Sequence, residues 1–547
     1  MTSLADALPS PSNYANEEHT IASWLLTRDH KRIAMMFFAS ITFFFFIGGF
    51  AATLIRLNLA NHAGLLQPDI YNRMFTMHGI VMVWFFLIPS IPTTLGNFIV
   101  PMAIGAHDLA FPRLNLGSWY IFNLSGLVLL FALIMGGVDT GWYFYPPYST
   151  QYSNSYVFAA GLAVFINGFS SIMTALNFVV TTHKLRAPGM TWMRLPLFVW
   201  GIYSVSVVML LATPVLAMDT VLLCVEHFLG MGLFDPGHGG DPILWQHIFW
   251  FYSHPAVYIM ILPAMGVVSE LIPCFARRPI FGYSGMTIAL MAIAVLSFFV
   301  WGHHMFTAGI SIYSAAVFSL MTFFVAVPSA IKVFNWTVSL HKGSITFDAP
   351  MLYALGFVLL FTIGGLTGLM VATVGLDVHL QDTYFVVAHF HYIMVGGTVS
   401  AFFGGLHYWW PKMTGRLYPE MWARIAAIIT FLGFNLTFFP QFILGYLGMP
   451  RRLYTYPVEW EAWNVLSSAG ASILAAAYLM PLFYLGWSLF WGPRAGANPW
   501  RATGLEWLTA SPPTKHNFET TPVVALGPYS YDPEDGSYVT QDGIRHA

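Results

Sequence analysis

Long apolar stretches, interrupted by only a few polar residues, recur along almost the whole chain. Twelve of them reach about 20 residues, the length of a helix that crosses the apolar core of a bilayer. They lie near 33–57, 76–101, 115–135, 156–183, 194–224, 243–273, 284–305, 314–340, 351–371, 386–409, 423–446 and 466–491. Strands of a membrane β-barrel would be about half as long and would alternate apolar with polar positions. The pattern therefore predicts an all-α membrane bundle of twelve transmembrane helices over residues 33–491.

The polar ends of the chain are predicted to face the same compartment, because the number of spans is even. They are an N-terminal segment, 1–32, and a Pro-rich tail, 492–547. Connections after odd-numbered spans hold few basic residues, namely Arg56, Arg73, Arg451 and Arg452. All other Lys and Arg residues, except one inside the eighth span, lie in the tails or after even-numbered spans. Since basic residues concentrate in cytoplasmic connections, both tails are predicted to be cytoplasmic.

The composition agrees with a membrane protein. Hydrophobic residues make up 57% of the chain and charged residues only 8%, whereas a soluble domain carries about 25% charged residues. This excludes the soluble, disordered, collagen-like and disulfide-scaffold classes. A formal net charge of −2 gives no electrostatic reason to expect nucleic acid as a partner. The only cysteines are Cys224, near the predicted outer end of the fifth span, and Cys274, near the predicted inner end of the sixth. They are too far apart to be predicted to pair.

Six histidines lie well inside the apolar spans, all in the predicted outer half. An ionisable side chain there is costly, so each is a functional hypothesis by default. A single one would most simply hydrogen-bond to a neighbouring helix, but six together indicate a metal or cofactor centre. They are His78, His254, His303, His304, His389 and His391.

The spacing of these histidines divides them into groups. His389 and His391 are about 200° apart around a helix, which places imidazoles on opposite faces. His303 and His304 are adjacent, and His254 is the obvious third ligand for one shared metal. All-imidazole ligation suits copper, iron or zinc rather than magnesium or calcium. All six would be used by one heme with two histidine ligands, a second heme with one histidine ligand, and a metal ion bound by three histidines.

Tyr258 follows His254 by four residues in the sequence SHPAVY, so both rings share a helical face. Aromatic pairs at this spacing are usually packing contacts. Next to three candidate metal ligands, the phenol becomes a candidate donor of both a proton and an electron.

These residues resemble the catalytic subunit of the heme-copper oxidases, subunit I of the cytochrome c oxidases. The resemblance extends from TRDHKR at 27–32 to SPPTKHNF at 511–518. Its motifs are FTMHG, SHPAVY, WGHHM, VVAHFHY and GMPRR. The resemblance implies that a low-spin heme, of type a, is held by His78 and His391. It implies that a high-spin heme is held by His389, and the copper ion facing it by His254, His303 and His304.

The resemblance also assigns roles to residues around these ligands. Tyr258 would be covalently joined to His254 and would supply a proton when dioxygen, bound between iron and copper, is cleaved. Arg451 and Arg452 would bind the heme propionates, since arginine pairs well with carboxylates. The alternative for both arginines is a surface charge at the membrane boundary.

Lys332, in VPSAIKVFNW, resembles the lysine of a proton pathway in this family. Ser329 and Ser269 would accompany it, and the pathway would lead towards Tyr258. The alternative is a lysine that extends to the inner membrane interface, as long basic side chains do.

A second set of residues resembles the aspartate pathway of the family. Asp108, in HDLAFPR, would mark its cytoplasmic entrance. Its polar lining would be Asn97, Asn115, Ser170, Ser171 and Asn177. Without the resemblance, these residues would be interpreted as helix-end and interhelical hydrogen bonds.

The sequence departs from the commonest family pattern after the His-Pro of SHPAVY. Most relatives carry a glutamate that ends the aspartate pathway, and this chain has Ala256. A subgroup without the glutamate has a Tyr-Ser pair, which Tyr252 and Ser253 resemble. Tyr252 lies one turn before Ala256 on the same face. We therefore expect its hydroxyl to occupy roughly the space of the missing carboxyl.

A second departure concerns Gln381, which precedes Asp382 where relatives often have His-Asp. That His-Asp pair supplies ligands to a magnesium ion near the propionates. Asp382 stays a candidate magnesium ligand, and the carbonyl of Gln381 is an acceptable oxygen ligand.

The resemblance implies the catalytic subunit of a respiratory terminal oxidase, a cytochrome c oxidase that reduces dioxygen to water and translocates protons. Nitric oxide reductases are related but lack Tyr258 and both proton pathways. A quinol oxidase of the same family is the alternative, because the donor is selected largely by a partner subunit. An alternative from a different class is a heme-free polytopic transporter with structural histidines, which would be colourless after purification.

The resemblance also implies an electron donor and further subunits of the complex. The donor would be cytochrome c or a fused or associated c-type cytochrome. This chain has no copper-thiolate motif, so a binuclear copper site would lie on subunit II, with subunit III, small subunits and membrane lipids around the complex. The glutamate-less pattern indicates the cytoplasmic membrane of a bacterium.

Overall fold

The computed structural model describes residues 12–534 and 536–546, which form a helical bundle and a small C-terminal sheet. The α-helices are α1 (Ile21–Leu25), α2 (His30–Asn58), α3 (Pro68–Ile80), α4 (Asn97–Ala103), α5 (Pro112–Ile134), α6 (Val157–Lys184), α7 (Leu197–Leu229), α8 (Pro242–Ala276), α9 (Tyr283–Leu296), α10 (Ile312–Leu340), α11 (Ala349–Ala372), α12 (Val374–Leu380), α13 (Tyr384–Ile393), α14 (Ser400–Thr414), α15 (Glu420–Tyr446) and α16 (Glu461–Trp491). Among the π-helical segments, Val81–Leu87 and Ser90–Gly96 lie between α3 and α4, and Met394–Val399 lies between α13 and α14.

Eleven helices in the described part of the chain are long and apolar enough to cross a membrane. Two of them run through the π-helical segments, as Pro68–Ala103 and Tyr384–Thr414. The predicted all-α membrane bundle is confirmed, and eleven predicted spans coincide with these helices. The predicted span 284–305 differs, because it contains the shorter apolar helix Tyr283–Phe299 followed by a 3₁₀ turn at Trp301–Met305.

Helix α8 lies at the centre of the bundle, where its most apolar stretch is entirely buried. It packs against α7, α10, α11 and α14. A helix that is apolar all round is expected in such a position. Its few polar side chains, which include Ser253, His254, Tyr258 and Ser269, therefore face the interior of the bundle.

Close backbone contacts fix α13 against α15. A Cβ atom at Gly445 of α15 would lie 1.9 Å from the amide nitrogen of Phe385. Small residues at helix contacts allow such an approach. Gly445 thereby sets the position of the helix that carries His389 and His391.

The described residues after 492 pack against the end of the bundle. The Tyr529 hydroxyl accepts a hydrogen bond from the Leu197 amide at 2.8 Å and donates one to Glu270 at 2.5 Å. Lys412 donates to the carbonyl of Thr509 at 2.6 Å. The last strands form an antiparallel sheet in the order β1 (Ser530–Tyr531), β2 (Tyr538–Val539) and β3 (Arg545–His546).

Candidate active site

Three imidazoles from two segments converge at the centre of the bundle. His254 Nδ1 lies 3.0 Å from His304 Nε2, which lies 3.1 Å from His303 Nε2. In the described residues, this is the one group of three or more His, Cys, Asp or Glu side chains whose ligand atoms all lie within 4.8 Å of one another. Three nitrogen lone pairs directed at one point form a suitable ligand set for a transition metal.

The surroundings hold these rings in one orientation. Thr322 donates its hydroxyl hydrogen to the Phe318 carbonyl at 2.6 Å, so its oxygen accepts from His303 Nδ1 at 3.0 Å. The proton on Nδ1 leaves the Nε2 lone pair of His303 free. His304 stacks on Trp250 with ring centroids 3.9 Å apart and planes at 13°. Such outer contacts orient metal ligands in known sites.

Tyr258 lies beside this group, as its four-residue spacing from His254 predicts. The two ring centroids are 4.8 Å apart. His254 Nε2 is buried and has no hydrogen-bond partner among the described residues. The phenol and the free nitrogen of the imidazole therefore share one face of α8.

His78 and His391 face each other across a gap. Their ring centroids are 6.4 Å apart and their planes differ by only 9°. His78 Nδ1 bonds to the Gly48 carbonyl at 2.9 Å, and His391 Nδ1 to the Val387 carbonyl at 2.8 Å. Both Nε2 atoms stay available. The gap suits one metal ion bound to both rings at about 2 Å per bond.

His389 lies on the opposite face of α13 from His391, as the two-residue spacing predicts. Its Nδ1 atom bonds to the Gly364 carbonyl at 3.0 Å, which again leaves Nε2 free. A Cβ atom at Gly368 would lie 3.1 Å from the His389 ring. A side chain larger than glycine would therefore crowd this imidazole.

One cavity of about 1520 Å³ joins all these side chains. All six candidate histidines and Tyr258 line it, among mostly apolar residues. Sites for single drug-sized ligands have volumes of about 300–1,000 Å³. The cavity, its free imidazole nitrogens and its apolar walls fit two large planar cofactors and one metal ion.

Arg451 and Arg452 both line this cavity, in different environments. Arg451 forms an ion pair with Asp382. The Arg452 guanidinium lies over the Tyr143 ring, 4.6 Å from its centroid, and burial lowers the pKa of Arg452 to about 10. The Arg452 guanidinium is therefore cationic at neutral pH. The structure does not bring Asp382 into the three-histidine group, and Gln381 donates a long hydrogen bond, 3.5 Å, to the His304 carbonyl.

Lys332 is fully buried on α10, which argues against its extension to the membrane interface. Its ammonium group has no hydrogen-bond partner among the described residues and lies 5.0 Å from the centroid of the Trp336 ring. Trp336 donates to the Ser269 hydroxyl at 2.9 Å. Ser329, one turn before Lys332, lines the large cavity. Lys332 and Ser269 therefore both lie beside Trp336, near the C-terminal end of α8.

The residues predicted for the second proton path line contacts between α4, α5 and α6. Asn97 and Asn115 exchange two amide hydrogen bonds, at 3.1 and 2.9 Å. Asn177 bonds to the Phe111 backbone, Ser170 donates to the Ser118 carbonyl at 2.8 Å, and Ser171 is partly buried beside it. Asp108 lies in the loop before α5. Burial, with the nearby charge of Asp29, raises the pKa of Asp108 to about 7.

Tyr252 and Ser253 are buried and directly precede His254, a member of the three-histidine group. The Tyr252 ring stacks on Trp84, with centroids 5.5 Å apart and planes at 17°. The Ser253 hydroxyl and the Trp84 indole nitrogen have no hydrogen-bond partner among the described groups. Ala256 leaves no carboxyl at its own position.

Comparison with known proteins identifies the family. Residues 32–473 match the family described as cytochrome c and quinol oxidase polypeptide I. Cytochrome c oxidase subunit 1 of a Synechocystis species is 45% identical over 504 residues, covering 92% of this chain and 91% of that protein. The chain belongs to this family. The namesake subunit of Bacillus subtilis is 41% identical, covering 92% and 81% of the two chains.

A solved structure supports the fold of this cytochrome c and quinol oxidase subunit. It is described as a heme-copper terminal oxidase dimer, and it matches with a TM-score of 0.75 at 20% identity over 85% of each chain. The protein is thus the catalytic subunit of a terminal oxidase, a bacterial multi-pass membrane enzyme that uses dioxygen. Membership of the family implies heme and copper cofactors.

Sequence reasoning missed Arg56 as a residue of the oxidase cavity. One of its nitrogens donates to the Asn464 carbonyl at 2.9 Å and to Ser468 at 3.1 Å. The other two nitrogens are buried without a described partner, and the side chain lines the cavity. Its place among only four basic residues on the predicted outer side was the available signal.

Proposed function

We propose that the six histidines hold two hemes and one copper ion. His78 and His391 would bind the low-spin heme, His389 the high-spin heme, and His254, His303 and His304 the copper ion. The observation that carries this is the set of imidazole nitrogens left free towards one cavity. When bound, these groups supply the electrons for dioxygen reduction.

The residues of the chain supply orientation and protons. Tyr258 holds a phenolic proton next to the three-histidine group, and His254 Nε2 is free for the expected covalent bond to this tyrosine. Arg451 and Arg452 provide positive charge for the propionates. Arg56, with two free nitrogens, suits a heme with a polar ring substituent and so favours type a. Asp382 is the candidate magnesium ligand, although its ion pair with Arg451 competes for the carboxylate.

Two routes would bring protons from the cytoplasmic side. Lys332, with Ser269 and Ser329, would lead towards Tyr258. Asp108 would collect protons at the second entrance, since a carboxyl with a pKa of about 7 exchanges protons readily at neutral pH. The amide and hydroxyl groups behind it would lead towards Tyr252 and Ser253, in place of the absent glutamate.

The proposed setting is the cytoplasmic membrane of a bacterium, with twelve spans and both termini in the cytoplasm. The distribution of basic residues supports this orientation. The helical domain would be 33–491, between the cytoplasmic segments 1–32 and 492–547. The enzyme would couple oxygen reduction to proton translocation.

The electron donor would be cytochrome c or a c-type cytochrome fused to or associated with subunit II, which would carry a binuclear copper site. Subunit III and small subunits would complete the complex. The subunits named cytochrome c oxidase among the relatives favour this donor over quinol. A purified complex that oxidises quinol but not cytochrome c would contradict the assignment.

Metal analysis and optical spectra of ligand variants test the proposed centre. For each copy of this chain, the wild-type complex should contain its two hemes and one copper ion in addition to the binuclear copper site of subunit II. H304N should lose the copper ion of the three-histidine group and retain both hemes, whereas H391L, which offers no heme ligand, should lose the low-spin heme spectrum.

H407Q provides the control for these variants. His407 is a buried histidine that does not line the cavity and bonds to Tyr484 at 2.5 Å. The H407Q variant should keep both hemes and the copper ion of the three-histidine group. Full copper content in H304N would show that the three-histidine group has another role.

A further inference from the structure

Asp219 is a carboxyl group inside the bundle that none of the roles above uses. It lies on α7, ten residues before the helix ends, and its side chain is fully buried. Neither carboxyl oxygen has a hydrogen-bond partner among the described residues, and none of the ion pairs found there includes it. A carboxylate in an apolar interior without a counter-charge is costly, so this group holds its proton at rest.

A structural carboxyl in the same bundle has a different environment. Glu270 of α8 accepts hydrogen bonds from the Phe198 amide at 3.0 Å and from the Tyr529 hydroxyl at 2.5 Å. Those contacts join α7, α8 and the C-terminal segment. Asp219 makes no such contact, so interhelical bonding does not explain why a carboxyl group occupies this position.

The position of Asp219 relates it to Tyr252. Thr213 precedes Asp219 by six residues, about 9 Å along the helix axis. The Thr213 hydroxyl interacts with that of Tyr252, and it has no hydrogen bond of good geometry to any described group. In the proposed orientation, Asp219 is therefore the next titratable group of α7 on the outward side of Tyr252 and Ser253.

A polar pocket of about 190 Å³ lies further outward on the same helix. Glu226, two turns after Asp219, lines it and accepts a hydrogen bond from the Leu233 amide at 2.6 Å. Asp235 and His238, bonded to each other at 2.6 Å, also line it. Along α7, Asp219 thus lies between Thr213, which interacts with Tyr252, and the polar pocket.

We propose that Asp219 carries protons outward from the Tyr252–Ser253 region to the polar pocket at Glu226. The carboxylic acid releases its proton towards the pocket and regains one from the Tyr252 side. One proton is moved, and no electron or other atom is exchanged. This inference rests on the proposed proton translocation and orientation.

The test compares wild type, D219N and T220V as complete complexes in liposomes. Potassium and valinomycin collapse the membrane potential, and a pulse of reduced cytochrome c starts turnover. D219N should consume oxygen while the transient external acidification per electron falls at least twofold. Redox-difference infrared spectra should lose a carbonyl-stretch change of a protonated carboxyl in D219N.

T220V is the matched control, because the Thr220 hydroxyl lies at the same depth and, among the described residues, bonds only to its own helix, at 2.9 and 3.1 Å. It should keep both signals. If D219N retains too little heme, D219E should retain acidification and shift the infrared band. Acidification and infrared bands equal to wild type in D219N, or an unshifted band in D219E, would overturn the inference. Wild-type complex that consumes no oxygen would instead contradict the proposed function.

Discussion

The hydrogen bonds to Nδ1 explain why these imidazoles are ready to bind metals. In His78, His389 and His391, a backbone carbonyl accepts from Nδ1 and thereby fixes the tautomer with a free Nε2. In His303, the Thr322 hydroxyl has the same effect. Sequence motifs predicted these histidines as candidate ligands. The carbonyl partners of His78 and His389 lie 30 and 25 positions away and could not be read from local spacing, whereas the partner of His391 lies one turn earlier on its own helix.

Removing the hydroxyl of Tyr252 tests the role of a single oxygen atom. Y252F keeps the ring that stacks on Trp84 and removes only the hydroxyl. If this hydroxyl replaces the missing glutamate, oxygen consumption should fall at least about tenfold, since positioned proton donors contribute about 10²–10⁴ in rate. Heme and copper contents should not change.

T213V is a suitable comparison for Y252F, because it removes a neighbouring hydroxyl and leaves the phenol. It should slow turnover less than Y252F does. Wild-type oxygen consumption in Y252F, measured with an oxygen electrode, would remove Tyr252 from the proton path.

Charge pairing at the cavity edge was the least predictable part of the site. The sequence predicted Arg451 as a propionate partner and Asp382 as a magnesium ligand, but it gave no sign that they bind each other. Arg56 was also missed, because a lone arginine at a helix end usually indicates only a membrane boundary. Both features depend on contacts between residues at least about 70 positions apart.

At the scale of elements, the end of α9 differs from the prediction for a physical reason. Hydropathy predicted one span over 284–305, but the α-helix ends at Leu296 and a 3₁₀ turn covers Trp301–Met305. Hydropathy records how apolar a segment is, and it does not distinguish an α-helix from a 3₁₀ turn that has the same residues. The tighter turn matters, because it directs His303 and His304 together at one point.

Gly302 is the residue that lets this turn approach α10. A Cβ atom there would lie 2.2 Å from the Phe318 ring. G302A should therefore displace the ring or the turn, at a cost of about 1–3 kcal/mol. We expect a lower ratio of copper to heme, measured by metal analysis of the purified complex.

G285A is the control for G302A. Gly285 lies on α9, and an added Cβ would be 3.6 Å from its nearest neighbour, Asn335, which is an ordinary contact. Equal copper contents in both variants would show that the turn does not depend on a glycine.

At the scale of the whole molecule, the C-terminal residues hold separate helices together. The sequence predicted only a polar, Pro-rich tail over residues 492–547. In the structure, Tyr529 bridges the start of α7 and Glu270 of α8, while Gln541 donates to the Arg194 carbonyl at 2.9 Å. The overall bundle was predictable from hydropathy, whereas these long-range contacts were not.

Deleting residues from 524 onward should lower the stability of the bundle. The Leu197 amide would lose its acceptor, and a buried unsatisfied polar group costs about 1–3 kcal/mol. The apparent melting temperature, followed by heme absorbance in detergent, should fall by about 2–4 °C or more.

Y529F tests the hydroxyl alone and should give a smaller change in the same direction. A truncated protein that melts at the wild-type temperature would show that the segment only covers the bundle.

The distance along the chain between His78 and His391 has a consequence for biosynthesis. Their rings are nearly parallel and 6.4 Å apart in the folded protein. A ribosome that adds about 5–20 residues per second needs about 16–60 s to pass from one codon to the other. His78 is therefore already in the membrane before the ribosome has added His391 to the chain. If both histidines bind one heme as proposed, its delivery must wait for most of translation, and the cell has to keep that heme from an unfinished pocket.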